Sequence, residues 1–209
     1  MRRQLFNVLA GLLCLSGSAL AAPVTAIIPG GGGFQNHFWN FDSTLGYEFS
    51  LTTTLDVSAL GFFDADNDGL FDAHDVGIFA GDGTLLASAT VPSAAGGTLQ
   101  DGFRFMPIPD LVLLPGTYRI GAQGSGTSLD EFLLGRSGST TIAGLTLGPA
   151  FYGAGAALTF PTAQADYATE GFFGPNFQAT QVPEPATLAL TTLAVAGALR
   201  RARRARRAR

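Results

Sequence analysis

The 209 residues contain no lysine, one cysteine, one tryptophan and two histidines. The cysteine, Cys14, lies in an N-terminal apolar stretch, so the rest of the chain can build no disulfide, thiolate metal site or thiol nucleophile. His-Glu-x-x-His and Gly-x-Ser-x-Gly are both missing. Gly30 to Gly33 are not followed by Lys-Ser/Thr, which rules out a phosphate loop. With His37 and His74 as the only imidazoles and no separated carboxylate pair suited to glycoside chemistry, the expectation is a protein that is not an enzyme. Also lacking is any amphipathic run at the 3.6-residue period of a helix.

The formal net charge of −4 hides three regions of different sign. Residues 1–21 carry Arg2 and Arg3, and residues 182–209 carry seven Arg against Glu184. Residues 22–181 set Arg104, Arg119 and Arg136 against twelve Asp and three Glu, a net of −12. A surface that acidic repels nucleic acid and attracts divalent cations. Nucleic acid is therefore not an expected partner.

Both ends read as targeting segments. Arg2 and Arg3, the apolar run Leu5 to Leu15 and the small-x-small Ala19-Leu20-Ala21 have the order of a signal peptide over 1–21, cut after Ala21 by signal peptidase of the export machinery. Leu13 before Cys14 is not the small residue a lipoprotein signal requires. At the other end, residues 182–209 comprise Val182-Pro183-Glu184-Pro185, an apolar helix expected over 186–199, and an Arg-rich tail over 200–209. Arginines beside an apolar segment stay cytoplasmic and leave the preceding domain outside. Fourteen helical residues reach about 21 Å, short of a hydrocarbon core of about 30 Å, so this inner-membrane anchor is marginal and suits a segment held until it is cut.

That order of Pro-Glu-Pro, short apolar helix and Arg-rich terminus resembles the PEP-CTERM sorting segment of Gram-negative bacteria. The resemblance implies that Val182, Pro183, Glu184 and Pro185 are a recognition element for an exosortase, an integral-membrane cysteine peptidase-like enzyme that passes its substrates to the cell surface or matrix. The implied route is an inner-membrane-anchored precursor, then a cell-surface or extracellular protein. A second pattern is carried by Gly61-Phe62-Phe63-Asp64, Asp68-Gly69-Leu70, His74-Asp75-Val76-Gly77-Ile78, Gly83-Thr84-Leu85-Leu86-Ala87, Gly102-Phe103-Arg104-Phe105, Gly116-Thr117-Tyr118 and Gly174-Pro175-Asn176-Phe177. It is similar to a group of exported PEP-CTERM proteins, and implies a sandwich but no catalytic residues.

Residues 24–181 read as one exported domain. Leu85, Ala87, Ala89 and Val91 alternate with polar residues over Thr84 to Val91, broken by Leu86, as in a half-buried strand. Val76 to Ala80 precedes it, and Gly81-Asp82-Gly83 predicts a tight hairpin between the two. Strand character recurs at Tyr47 to Leu51, Leu55 to Phe63, Gly102 to Pro107, Thr117 to Gln123, Thr140 to Leu147, Ala156 to Phe160 and Phe177 to Thr180. The fold class expected is all-β, a jelly-roll-like β-sandwich with phenylalanine supplying much of the core.

Two clusters could bind something. Asp64, Asp66, Asp68, Asp72 and Asp75 occupy positions 1, 3, 5, 9 and 12 of a D-x-D-x-D-G loop, with Gly69 at the turn and the Leu70 carbonyl at position 7. That oxygen-rich spacing suits calcium in a structural role, although position 12 is Asp rather than Glu and the flanks read as strands rather than helices. His37 and Trp39, among amide side chains, could stack on a sugar ring, or could simply cap the core. The functional expectation is a non-catalytic structural or adhesive surface domain, with a carbohydrate-binding module of the matrix polysaccharide as the alternative. A hydrolase fits less well. So does an ice-binding surface, because Thr52-Thr53-Thr54 is too short for a repeated Thr face.

Overall fold

The computed structural model describes residues 21–28, 30, 35–38 (backbone only), 41–134, 138–165 and 171–182. Residues 1–20 of the expected signal segment 1–21, Trp39, and the sorting segment from Pro183 onward lie outside the described residues. No helix occurs among the described residues, and none is therefore long and apolar enough to cross a membrane.

The strands in chain order are β1 (Val24–Thr25), β2 (Ile27–Ile28), β3 (Gln35–Phe38), β4 (Ser43–Leu51), β5 (Leu55–Phe63), β6 (His74–Ala80), β7 (Leu85–Val91) and β8 (Thr98–Gln100). They continue with β9 (Phe103–Leu113), β10 (Gly116–Gly124), β11 (Glu131–Leu134), β12 (Thr140–Thr141), β13 (Leu145–Ala154), β14 (Ala163–Gln164), β15 (Phe172–Phe173) and β16 (Pro175–Gln181). One large sheet has the order β1-β16-β5-β9-β8 and the other β14-β13-β4-β10-β6-β7, both antiparallel throughout. The chain changes sheet between β4 and β5, β5 and β6, β7 and β8, and β9 and β10, and again between β13 and β16. This winding is that of a jelly-roll-like sandwich.

The two inner faces meet through the alternating apolar residues of their strands. Tyr47 and Phe49 of β4 are fully buried with Leu60 and Phe62 of β5, Ile78 of β6, Ile120 of β10 and Phe177 of β16. The Phe49 and Phe177 rings join the sheets at 5.2 Å. Burial pushes the Tyr47 hydroxyl far up from the usual phenol range, and it donates to the Pro175 carbonyl at 3.3 Å. Ala59, Phe103 and Phe105 form a separate small cluster with Phe63 on the opposite face of the first sheet.

The expected hairpin joins β6 to β7. Ala80 N–H donates to Thr84 O and Gly83 N–H to Ala80 O, and the Thr84 N–H on Asp82 holds that carboxyl below its usual range. The Leu86 that breaks the alternation is the extra residue of a β-bulge, since Ile78 pairs Ala87 while Phe79 pairs Leu85. Gly83 has φ +90, and a Cβ there would stand 3.1 Å from the Phe160 ring. Gly83→Ala is therefore expected to cost about 1–2 kcal/mol, read as a lower urea midpoint at unchanged slope. An unchanged midpoint would contradict the strain.

Three expectations need correction. Thr140 to Leu147 is two strands, because the chain turns at Gly144 with φ +83. β9 does not stop at Pro107 but runs on to Leu113, since β8 pairs only its first residues and beyond them its outer edge is open, where proline is tolerated. Ala156 to Phe160 is no strand. It crosses the outer face of the second sheet, with Phe160 5.6 Å from Phe79 and under the Arg119 guanidinium, which lies 3.4 Å from the Phe151 centroid and donates to Pro161 O. Its alternating apolar residues serve that outer packing.

Candidate functional site: an acidic cleft at one end of the sandwich

β5 ends at Phe63 and delivers Asp64 into the turn that leads to β6. Asn67 (φ 60) and Gly69 (φ +119) are left-handed, which curls residues 64–69 so that the Gly69 N–H points at the Asp64 carboxylate, 3.2–3.3 Å away. Both residue types tolerate that conformation. A Cβ on Gly69 would come within 2.7 Å of the Ala94 backbone. The second half of the turn is pinned by mutual backbone bonds between Leu70 and Ala94, 3.1 and 2.6 Å long.

Two buried ion pairs stand behind this turn. Arg104 is the register partner of Phe62, so its side chain shares the inner face with that ring. Its Nε donates to Asp64 Oδ2 at 2.6 Å and its Nη2 to the Asn67 carbonyl at 3.4 Å, with both side chains almost wholly buried. His74, the first residue of β6, is fully buried and stacks on Phe62 at 3.8 Å. Its Nδ1 faces Gln123 O and its Nε2 faces Asp130 Oδ2, each at 2.9 Å. Both neighbours are acceptors, so a proton on either ring nitrogen finds a partner. Asp130 also accepts the N–H groups of Phe71 and Asp72, each at 2.7 Å. Burial would raise its pKa, but the bonds from His74 and from these two N–H groups outweigh that and hold the carboxyl below its usual range.

Around these pairs lies an open cleft of about 390 Å³, lined by Asp64, Asp66, Asp68, Leu70, Asp130 and Glu131 among others. Of the residues expected at a calcium loop, Asp64, Asp66, Asp68 and Leu70 come together here, with Asp66 and Asp68 exposed. Asp72 and Asp75 do not line it. Asp75 is exposed on β6, where the Thr90 hydroxyl donates to it. In their place the sequence reading missed Asp130, from the turn that leads into β11, and Glu131, the first residue of that strand. Glu131 Oε2 is buried and accepts no hydrogen bond from the described residues. Among the described residues no three His, Asp or Glu side chains already stand in a metal-binding arrangement. The charge nearest Asp64 is the guanidinium of Arg104.

Of the expected sugar-stacking pair, the described residues include only the backbone of His37. His37 lies on β3 opposite Phe132 of β11, and Trp39 is outside the described residues. Of the sorting element, Val182 is described. Its N–H donates to Thr54 O at 3.1 Å, which ties the chain to the first sheet up to the residue before Pro183.

Residues 181–204 match the family model of the PEP-CTERM protein-sorting motif. No curated protein matches the chain. Among solved structures, a chain from the 2.6 Å structure of infectious bursal virus-derived T=1 particles is similar at 16% identity and a TM-score of 0.24. The match covers 87% of this chain and 49% of the viral one, so the chain spans about half the length of that protein.

Proposed function

We propose, for a chain that carries the PEP-CTERM protein-sorting motif and is accordingly an exosortase-sorted cell-surface or extracellular protein, that its β-sandwich is a non-catalytic structural or adhesive component of the cell surface or matrix. The observation that carries this reading is the junction of the two parts. β16 is an inner strand of the first sheet, and the sorting element begins at Val182, directly after it, with no domain between them. The domain joined directly to the sorting motif is thus the sandwich. Support for a non-catalytic role comes from His74, whose two ring nitrogens are committed to Gln123 and Asp130 behind the surface. The alternative, a polysaccharide-binding module, is separated by a glycan array probed with the protein released from the surface. The structural role predicts a blank array, and saturable binding lost in Trp39→Ala would replace it with the module.

Calcium belongs to this reading as a weak structural ligand of the cleft. Asp66 and Asp68 are exposed and can turn toward a cation, and Glu131 Oε2, which has no hydrogen-bond partner among the described residues, offers a further oxygen. Affinity at the level of extracellular modules, about 1 mM, gives about 1.4 kcal/mol of stabilisation at about ten times that concentration. The protein is therefore expected to melt a few degrees higher in about 10 mM calcium than in chelator, with the difference abolished in the Asp66→Ala, Asp68→Ala double variant. A single melting temperature in both buffers would leave Arg104 as the only cation the loop uses.

A further inference from the structure

Among the described residues, β7 and most of β9 have an outer edge that no strand pairs, and the sequence guards the two differently. β8 pairs only Phe103 to Phe105 of β9, and the remaining open edge of β9 carries Pro107, Pro109 and Asp110. Proline offers no N–H and a charge resists desolvation, so both block the addition of a further strand. β7 is the outer strand of the second sheet, pairs with β6 on one side only, and has neither protection within Leu85–Val91. Its bulge at Leu86 lies at the hairpin end and leaves Ala87 to Val91 regular, up to Pro92.

Charge distinguishes this side of the molecule as well. From Thr84 to Gln100, through β7 and the short edge strand β8, there is no charged residue, although residues 22–181 have a net charge of −12. Leu85, Leu86 and Leu99 in the same run are 47%, 37% and 42% exposed. The carboxylates beside β7 are Asp75, bound by the Thr90 hydroxyl, and Asp82 of the hairpin, which accepts the Thr84 N–H at the end away from Ala87 to Val91. For two copies of so acidic a molecule, contact along this run avoids setting carboxylate against carboxylate.

We propose that β7 is a homotypic contact, at which a second copy of this chain adds antiparallel to the open edge and joins the two second sheets into one across a two-fold axis. Antiparallel pairing of a strand with its own copy is self-complementary, because each molecule offers the same donors and acceptors. One such edge per molecule closes the assembly at a dimer. The contact requires only the folded domain, whatever route exports it, so it stands or falls independently of the sorting reading.

Sedimentation velocity of the purified full chain in detergent, over about 1–100 μM, tests this directly. The expected result is a concentration-dependent dimer whose dissociation constant rises about tenfold or more in Ser88→Lys, since the added ammonium groups face each other across the new pair. Ser88 is exposed, so the variant should melt with the wild type. Leu86→Lys, exposed at the bulge, decides if Ser88→Lys does not fold. Val112→Lys, on the guarded edge of β9, is expected to leave the dimer intact. A monomer throughout the range overturns the proposal. So does a dimer that keeps its wild-type constant with lysine on β7, or one that Val112→Lys weakens as much.

Discussion

Arg104→Met is expected to lower unfolding stability by about 3–5 kcal/mol, because it leaves the Asp64 carboxylate buried without its counter-charge. Asp64 is 2% exposed and cannot recover solvation without opening the turn. The Asn67 carbonyl loses its donor in the same step. Arg104→Lys should restore only part of the loss, since an ammonium cannot place donors on both Asp64 and Asn67 with the fork geometry of a guanidinium. The double variant Asp64→Ala, Arg104→Met removes both charges together and should be more stable than either single one. Urea unfolding of the four proteins measures this cycle. Two additive single losses would show that the pair is not coupled.

Asp130→Ala should cost a similar amount, about 3–5 kcal/mol, for a different reason: one side chain gathers His74 and two backbone N–H groups. Asn at this position keeps the shape but has one accepting oxygen where the carboxylate has two, and its NH2 group would face donors. The pH dependence carries a definite sign. Asp130 has a folded pKa below its unfolded value, so its contribution is present in full above the unfolded value of about 4 and is lost as pH falls through the lower folded value. Wild-type stability should decline below about pH 4, and Asp130→Asn, already destabilised, should show a flatter acid limb. Equal acid slopes for the two proteins would assign the acid sensitivity to other carboxylates.

Period two made much of the sandwich legible. Leu55 to Phe63 was bounded as observed, and the β6–β7 hairpin was signalled by Gly81-Asp82-Gly83. Short pairings such as Val24–Thr25 and Phe172–Phe173 were not readable, because two residues hold no period. The stretch at Ala156 to Phe160 misled because alternation reports that one side meets apolar surface, and here that surface is the outside of a sheet.

The cleft was half legible. The D-x-D-x-D-G spacing placed Asp64, Asp66, Asp68 and Leu70 together, but the pattern alone extended the donor set to Asp72 and Asp75. His74 stands two residues before Val76 and four before Ile78, so the same alternation that buries those two already turned His74 inward and Asp75 outward. Arg104 between Phe103 and Phe105 carried a like signal, a charge on the face opposite two aromatics. Asp130 had none, as it comes from a turn brought to the cleft by tertiary packing.

The account rests on the sandwich being sorted cargo, and the most direct measurement is the fate of the protein in cells when Glu184 is replaced by Ala. Fractionation with an antibody to the sandwich follows it. The wild type should leave the inner membrane for the cell surface or medium, in a form lacking the Arg-rich residues 200–209. Glu184→Ala should keep the longer precursor, with those residues, in the inner-membrane fraction. Identical size and identical surface delivery of the two proteins would contradict the account.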